Sequence, residues 1–207
     1  MIKGVKICGI SDTKTLNYVL NHPYPPKFLG FICNFPASKR YVPYENLKKL
    51  IDIDKRGINF VCVLVNPDDG ILEKIKNLQF DYYQLYDVSM ERTKYIKDKY
   101  NKKIISSITI KNKDDIYKYK LFENIADIFL FDGPGYQNSM SFNHDFIKNL
   151  PNKIIKMIAG NIKIDDIPNF KFESYIDLSK AVEISEGIKD LKKIDKLLNI
   201  VNSTIKN

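Results

Sequence analysis

Short apolar runs alternate with amphipathic runs along the chain. Residues 5–10, 28–33, 59–65, 82–85, 104–108, 128–132, 154–158 and 174–178 are brief and rich in Ile, Val, Phe or Tyr. That pattern predicts strands buried on both faces. Between them the apolar spacing turns helical. Residues 12–20 follow Ser11 as an expected cap and carry Leu16, Val19 and Leu20 on one face. Residues 44–51 follow Pro43, and 69–78 place Ile71, Leu72, Ile75 and Leu78 together. Residues 89–100, 114–121 and 143–150 are similar, 163–168 read as about one turn, and 188–201 predict a closing helix with Ile188, Leu191, Ile194, Leu197 and Leu198 apolar.

Strict strand-then-helix alternation predicts a parallel sheet. Eight strands suit a closed (β/α)8 barrel, which takes roughly 200 residues or more; the chain has 207. The competing architecture is an open doubly wound sheet, which often opens on a Gly-rich turn. Here the first turn is Cys8-Gly9-Ile10-Ser11-Asp12, and no Walker loop occurs. The expected fold is therefore α/β, a single (β/α)8 TIM-type barrel. No linker or internal repeat divides the chain, so residues 1–207 are read as one domain.

Composition changes this picture little. The formal net charge is +8, which admits nucleic-acid or membrane binding. The lysines are spread over polar helix positions without a dense block, so neither partner is expected. No apolar run of 18 residues predicts a membrane span, and the opening Met1-Ile2-Lys3-Gly4 is too charged for a signal peptide. Three cysteines without a Cys-x-x-Cys spacing read as free thiols in a reducing cytoplasm. Two distant histidines, His22 and His144, give no metal motif, and both are expected at the surface. Cys33 and Cys62 read as core.

In such barrels chemistry sits at the C-terminal ends of the strands. Side chains alternate between interior and helix layer. In the first strand Lys6 and Cys8 share one face; in the sixth, Ile128, Leu130 and Asp132 share one, opposite Phe129 and Phe131. Cys8 and Asp132 are thus predicted to point inward at the barrel top, from strands roughly opposite each other. A thiolate is a competent base if cations lower its pKa, and Lys6 and Arg40 are candidate cations. A carboxyl in a dry pocket can serve as an acid. By position alone Cys8 reads equally as a small core residue, and Asp132 as the cap of the next turn.

Lys6-Ile7-Cys8-Gly9-Ile10, Gly30-Phe31-Ile32 and Ser38-Lys39-Arg40-Tyr41-Val42 resemble the phosphoribosylanthranilate isomerase family. So, in order, do Val63-Leu64-Val65-Asn66, Gln84-Leu85, Leu130-Phe131-Asp132, Ser141-Phe142-Asn143, Ala159-Gly160, Asp177-Leu178-Ser179, Val182-Glu183 and Gly187-Ile188-Lys189-Asp190. The resemblance implies an Amadori rearrangement of N-(5-phosphoribosyl)anthranilate in tryptophan synthesis. Asp132 would be the general acid and Cys8 the general base. Arg40 would pair with the anthranilate carboxylate, Asp177 with ribose hydroxyls, and Gln84 and Tyr86 would line the substrate. Gly160, Asn161, Ser179 and Lys180 would hold the phosphate. The resemblance implies no cofactor and no metal. The partner would be a small phosphosugar, and the chain a monomer or homodimer.

The chain departs from the family at several rims. Tyr86-Asp87 replaces the usual His-Gly after the fourth strand. The loop Gly133-Pro134-Gly135-Tyr136-Gln137-Asn138-Ser139 is shorter, Asn161 replaces a second Gly, and Lys180-Ala181 replaces Ser-Gly. Lys180 could supply charge in place of a glycine nest. The alternative is a non-catalytic or repurposed barrel that binds another phosphorylated ligand.

Overall fold

Residues 2–135, 140–170 and 173–206 are described by the computed structural model. The apolar runs form β1 (Ile2–Cys8), β2 (Phe28–Ile32), β3 (Asn59–Val65), β4 (Tyr82–Tyr86), β5 (Lys103–Thr109), β6 (Ile128–Asp132), β7 (Lys156–Ile158) and β8 (Ser174–Leu178). Each pairs in parallel with the next, and β8 closes onto β1. Closure leaves this sheet no free edge. The fold is the expected closed barrel.

Strand parity divides the core into two layers. Phe28, Val61, Val63, Ile105, Ile128, Leu130 and Met157 fill the interior with Cys8. Phe31, Phe60, Leu64, Tyr83, Phe129 and Phe131 point outward into the helix layer. There they meet α1 (Thr13–Leu20), α2 (Tyr44–Ile51), α3 (Asp69–Ile75), α4 (Met90–Tyr100) and α5 (Leu191–Lys206).

The second half of the barrel departs from the expected helices. Lys113–Phe122, His144–Asn149 and Ile164–Asn169 are 3-10 helices. Their buried apolar residues are compatible with the tighter winding. Ile116 and Tyr119, and Ile164 and Ile167, are spaced by three and buried together. A 3-10 helix puts i and i+3 on one side. Boundaries also move. β1 ends at Cys8, because Gly9 turns the chain with φ +78°. Asp12, not Ser11, caps α1 by accepting from the Thr15 N–H. α3 stops at Ile75. The segment expected to open the last helix instead forms an antiparallel pair, β9 (Glu183–Ser185) with β10 (Ile188–Lys189). Ile188 is exposed there rather than part of the helix's apolar face.

Neither histidine sits free at the surface as expected. His22 is buried, accepts the Tyr24 N–H at Nδ1 (3.1 Å), and so turns Nε2–H toward Asp195 (3.2 Å). His144 packs against Phe142 and Phe170, with Nε2 3.1 Å from the Ala159 carbonyl. Burial lowers its pKa. Cys33 and Cys62 are buried free thiols. Among the described residues no helix is long and apolar enough to cross a membrane.

Candidate active site

The strand ends surround an open-mouthed cavity at the top of the barrel, the place where such folds hold small ligands. Cys8, Arg40, Gln84, Tyr86, Asp132, Gly160, Asn161, Asp177, Ser179 and Lys180 all line it. Every catalytic, substrate and phosphate candidate of the resemblance therefore reaches one pocket. The reason is topological: in a closed parallel barrel, alternate residues at every strand's C-terminal end converge on one mouth.

On the β1 side, register sets the chemistry. Lys6 lies opposite Asp177 on β8, and Cys8 opposite Gly30 on β2. Lys6 is fully buried and donates to Asp177 Oδ2 at 2.8 Å. Its ammonium also acts electrostatically on the Cys8 thiol. Burial alone would lower the Lys6 pKa; Asp177 and Cys8 more than offset this and raise it. Burial pushes the Cys8 thiol up, Lys6 pulls it down, and Asp177 pushes it up again; the net shift is upward. The resting group is a thiol whose ionised form has an ammonium beside it. Gly30 leaves the room this requires, since a Cβ there would lie 2.9 Å from the sulfur and 3.0 Å from Lys6 Nζ. Asp177 Oδ1 is buried without a hydrogen-bond partner among the described residues.

On the opposite wall, β6 ends at Asp132 and β4 at Tyr86. Gln84 and Tyr86 are two apart and share the interior face. Gln84 Nε2 donates to the Tyr86 hydroxyl at 3.2 Å, and that hydroxyl donates to Asp132 Oδ2 at 3.0 Å. Burial and the Asp132 charge raise the phenol well above its ordinary pKa, so it remains a donor.

Arg40 reaches the cavity wall, but two arms of its fork are already engaged. Nε and Nη2 pair with both carboxylate oxygens of Glu183, at 2.7 and 2.8 Å. Lys189 donates to the same carboxylate at 2.8 Å and to the Ser179 carbonyl at 3.1 Å. The Gly187 N–H adds a further bond. All three charged side chains are buried. Glu183 thus fixes the plane of the Arg40 guanidinium at the cavity wall. The Ser179 hydroxyl donates to the Cys8 carbonyl at 3.1 Å, tying the β8 rim to the end of β1.

Sequence reasoning assigned no role to Glu183, Lys189 or Gly30. Glu183 and Lys189 stood inside quoted motifs, which was their only signal. Asn161, which stands where the family usually has a second Gly, is left-handed with φ +54°, a conformation Asn tolerates better than most residues. Tyr136, Gln137, Asn138 and Ser139 of the loop after β6 lie outside the described residues. Among the described residues no three His, Cys, Asp or Glu side chains gather as metal ligands.

The family model for N-(5'-phosphoribosyl)anthranilate isomerase matches residues 5–200. The Agrobacterium fabrum protein named N-(5'-phosphoribosyl)anthranilate isomerase is 31% identical to this chain, covering 98% of it and 96% of the relative. The Rhizobium rhizogenes protein of the same name is 30% identical over 97% of this chain and 95% of its own. Among solved structures, the phosphoribosyl anthranilate isomerase of Thermotoga maritima superposes with a TM-score of 0.83 at 20% identity, covering 98% of this chain and all of that one. That likeness speaks for the barrel fold alone. The family-model match and the full-length relatives decide membership: the chain belongs to the N-(5'-phosphoribosyl)anthranilate isomerase family.

Proposed function

We propose that this chain converts N-(5-phosphoribosyl)anthranilate to 1-(2-carboxyphenylamino)-1-deoxyribulose 5-phosphate by general acid and base catalysis, as a step of tryptophan synthesis. The observation that carries the residue assignment is that a thiol, Cys8, and a carboxyl, Asp132, line one cavity from strands on different sides of the barrel. Asp132 gives a proton to the furanose ring oxygen as the C1–O bond breaks, and the anthranilate nitrogen lone pair forms the C1=N bond. Cys8, once its thiol proton has left to solvent, removes the proton from C2 as a thiolate, and the cycle closes when a proton returns through solvent to Asp132. The electrons of that C–H bond form C1=C2 and return the C=N pair to nitrogen, giving an enolamine. Ketonisation moves the C2 hydroxyl proton to C1. No atom is gained or lost, so the chemistry requires no oxidant and no second substrate.

Lys6 stabilises the thiolate at the moment it forms, because a buried ammonium is worth more beside a charge than water would be. Arg40 meets the anthranilate carboxylate, with Glu183 fixing its plane. The unpartnered Oδ1 of Asp177 accepts from a sugar hydroxyl. The phosphate lies over the backbone turns at Gly160-Asn161 and Ser179-Lys180, with Lys180 adding positive charge. The span 1–207 works as one barrel domain, a monomer or homodimer. The buried free thiols suit a cytoplasmic enzyme.

The direct test is loss of anthranilate-type fluorescence when the protein meets phosphoribosylanthranilate generated in situ. Turnover is expected; its absence in folded protein would leave a barrel serving another phosphorylated ligand. Two further outcomes follow from the β1 wall. Because the Cys8 thiol is raised, its alkylation by iodoacetamide should lag that of a free cysteine near neutral pH and keep accelerating above pH 9.0, the ordinary value it exceeds. Alkylation that levels off below that pH would contradict the assigned environment. Gly30→Ala places a methyl group against both the sulfur and Lys6. It should lower kcat on the order of 10–100-fold, as displacement of a reacting group by a fraction of an ångström does, while circular dichroism stays unchanged.

A further inference from the structure

We propose that Tyr86, oriented by Gln84, is a positioning residue that fixes which oxygen of Asp132 carries the transferable proton. The inference rests on the reading of Asp132 as general acid. A phenol has one proton. Gln84 Nε2 already donates to the Tyr86 oxygen at 3.2 Å, so the hydroxyl proton is directed along the 3.0 Å contact to Asp132 Oδ2. With Oδ2 accepting, a protonated Asp132 holds its own proton on Oδ1. An acid whose proton could sit on either oxygen would spend part of its time aimed away from the ring oxygen. The Gln84–Tyr86–Asp132 chain removes that choice.

The arrangement is built from rigid parts. Gln84 and Tyr86 sit on one face of β4, and Asp132 ends β6, so the chain spans the interior across β5. Gln84 and Asp132 are buried, and burial keeps the phenol protonated through the working pH range. Among the described residues, the other titratable or charged groups lining the cavity with Asp132 and Tyr86 are Cys8 on β1, Asp177 on β8, and Arg40 and Lys180 at the rim. Asp177 is paired with Lys6. Tyr86 is the side chain whose hydroxyl reaches Asp132 Oδ2 from β4, and it is also where the chain leaves the family's usual His.

The test compares Tyr86→Phe, which keeps the ring and loses the hydroxyl, with wild type and with 3,5-difluorotyrosine at position 86. A donor to a carboxylate favours its charged form, so losing it raises the pKa. In Tyr86→Phe, kcat should fall at least tenfold, KM should change less than about threefold, and the kcat limb belonging to Asp132 should move up by about one pH unit. The more acidic fluorinated phenol should move that limb down. The Asp132 carboxyl carbon, followed by 13C NMR and assigned with Asp132→Asn, should titrate in the same directions without any turnover. A rise in KM alone would make Tyr86 a substrate contact and overturn the proposal. So would a carboxyl signal and pH profile that stay where they were. Should Asp132→Asn retain activity, the general-acid reading falls instead, while the NMR titration still decides whether Tyr86 holds Asp132.

Discussion

Replacing Cys8 by Ala, or Asp132 by Asn, is expected to lower kcat by about 10²–10⁴-fold each, the usual contribution of a positioned general base or acid. Both side chains line the cavity without serving the outer core, so melting temperatures should stay near wild type. The double variant should be little worse than either single one, because the two groups act in one sequence of proton transfers and their losses do not add. Cys8→Ser is the sharper probe. It keeps size and a proton but raises the pKa of the base by several units, so it should remain nearly as slow as Cys8→Ala. Single-turnover fluorescence decay measures all four. Full activity in Cys8→Ala would return Cys8 to the plain role of a small interior residue.

The second large effect concerns stability. Glu183 is the shared counter-charge of Arg40 and Lys189, and all three are buried. Glu183→Ala leaves two buried cations without it. Breaking a buried ion pair from one side costs about 3–5 kcal/mol, which for a chain of this size lowers the melting temperature by roughly 6–20 °C. By contrast Lys196→Ala removes an exposed pair with Asp165 and should shift it by no more than about 2–3 °C. Calorimetry of the two variants decides the point; equal melting temperatures would mean that the Glu183 network contributes nothing.

The same network makes a pH prediction. Burial pushes the Glu183 carboxyl up, but hydrogen bonding to Arg40 and the Lys189 charge outweigh it, and the folded value lies below the ordinary 4.5. A depressed folded pKa stabilises above the unfolded value, and that stabilisation is lost as pH falls through the folded one. The gap in melting temperature between wild type and Glu183→Ala should therefore be widest above pH 5 and narrow as pH drops below 4.5. Because Glu183 also orients Arg40, the variant should raise KM more than it lowers kcat. Anthranilate rings lacking the carboxylate should be affected less.

Much of the architecture was legible in the chain itself. The period-two alternation in 128–132 predicted that Asp132 faces inward and the phenylalanines outward, and the barrel places them so. Parity and the rule that barrel chemistry sits at strand ends placed Cys8 and Asp132 at one mouth, and the family resemblance assigned the other eight residues that line the pocket with them. These signals are local. A strand's alternation and a turn's glycine are set by neighbours in sequence.

Other features were decided only when distant segments met. Lys6 could be named as a cation near the thiol, but its pairing with Asp177 depends on β8 closing onto β1 in one register, 171 residues apart. Glu183 takes two arms of Arg40 across 143 residues. His22 is buried and meets Asp195 on the last helix, 173 residues away, where the sequence read it as exposed. The 3-10 winding of the second half was likewise not legible, since apolar spacing of three fits either winding. The sequence by itself determined which side chains face the barrel mouth, because that depends on backbone periodicity. Tertiary structure alone decided which charges neutralise one another there, because an ion pair is set by distance in space and by the water that folding removes.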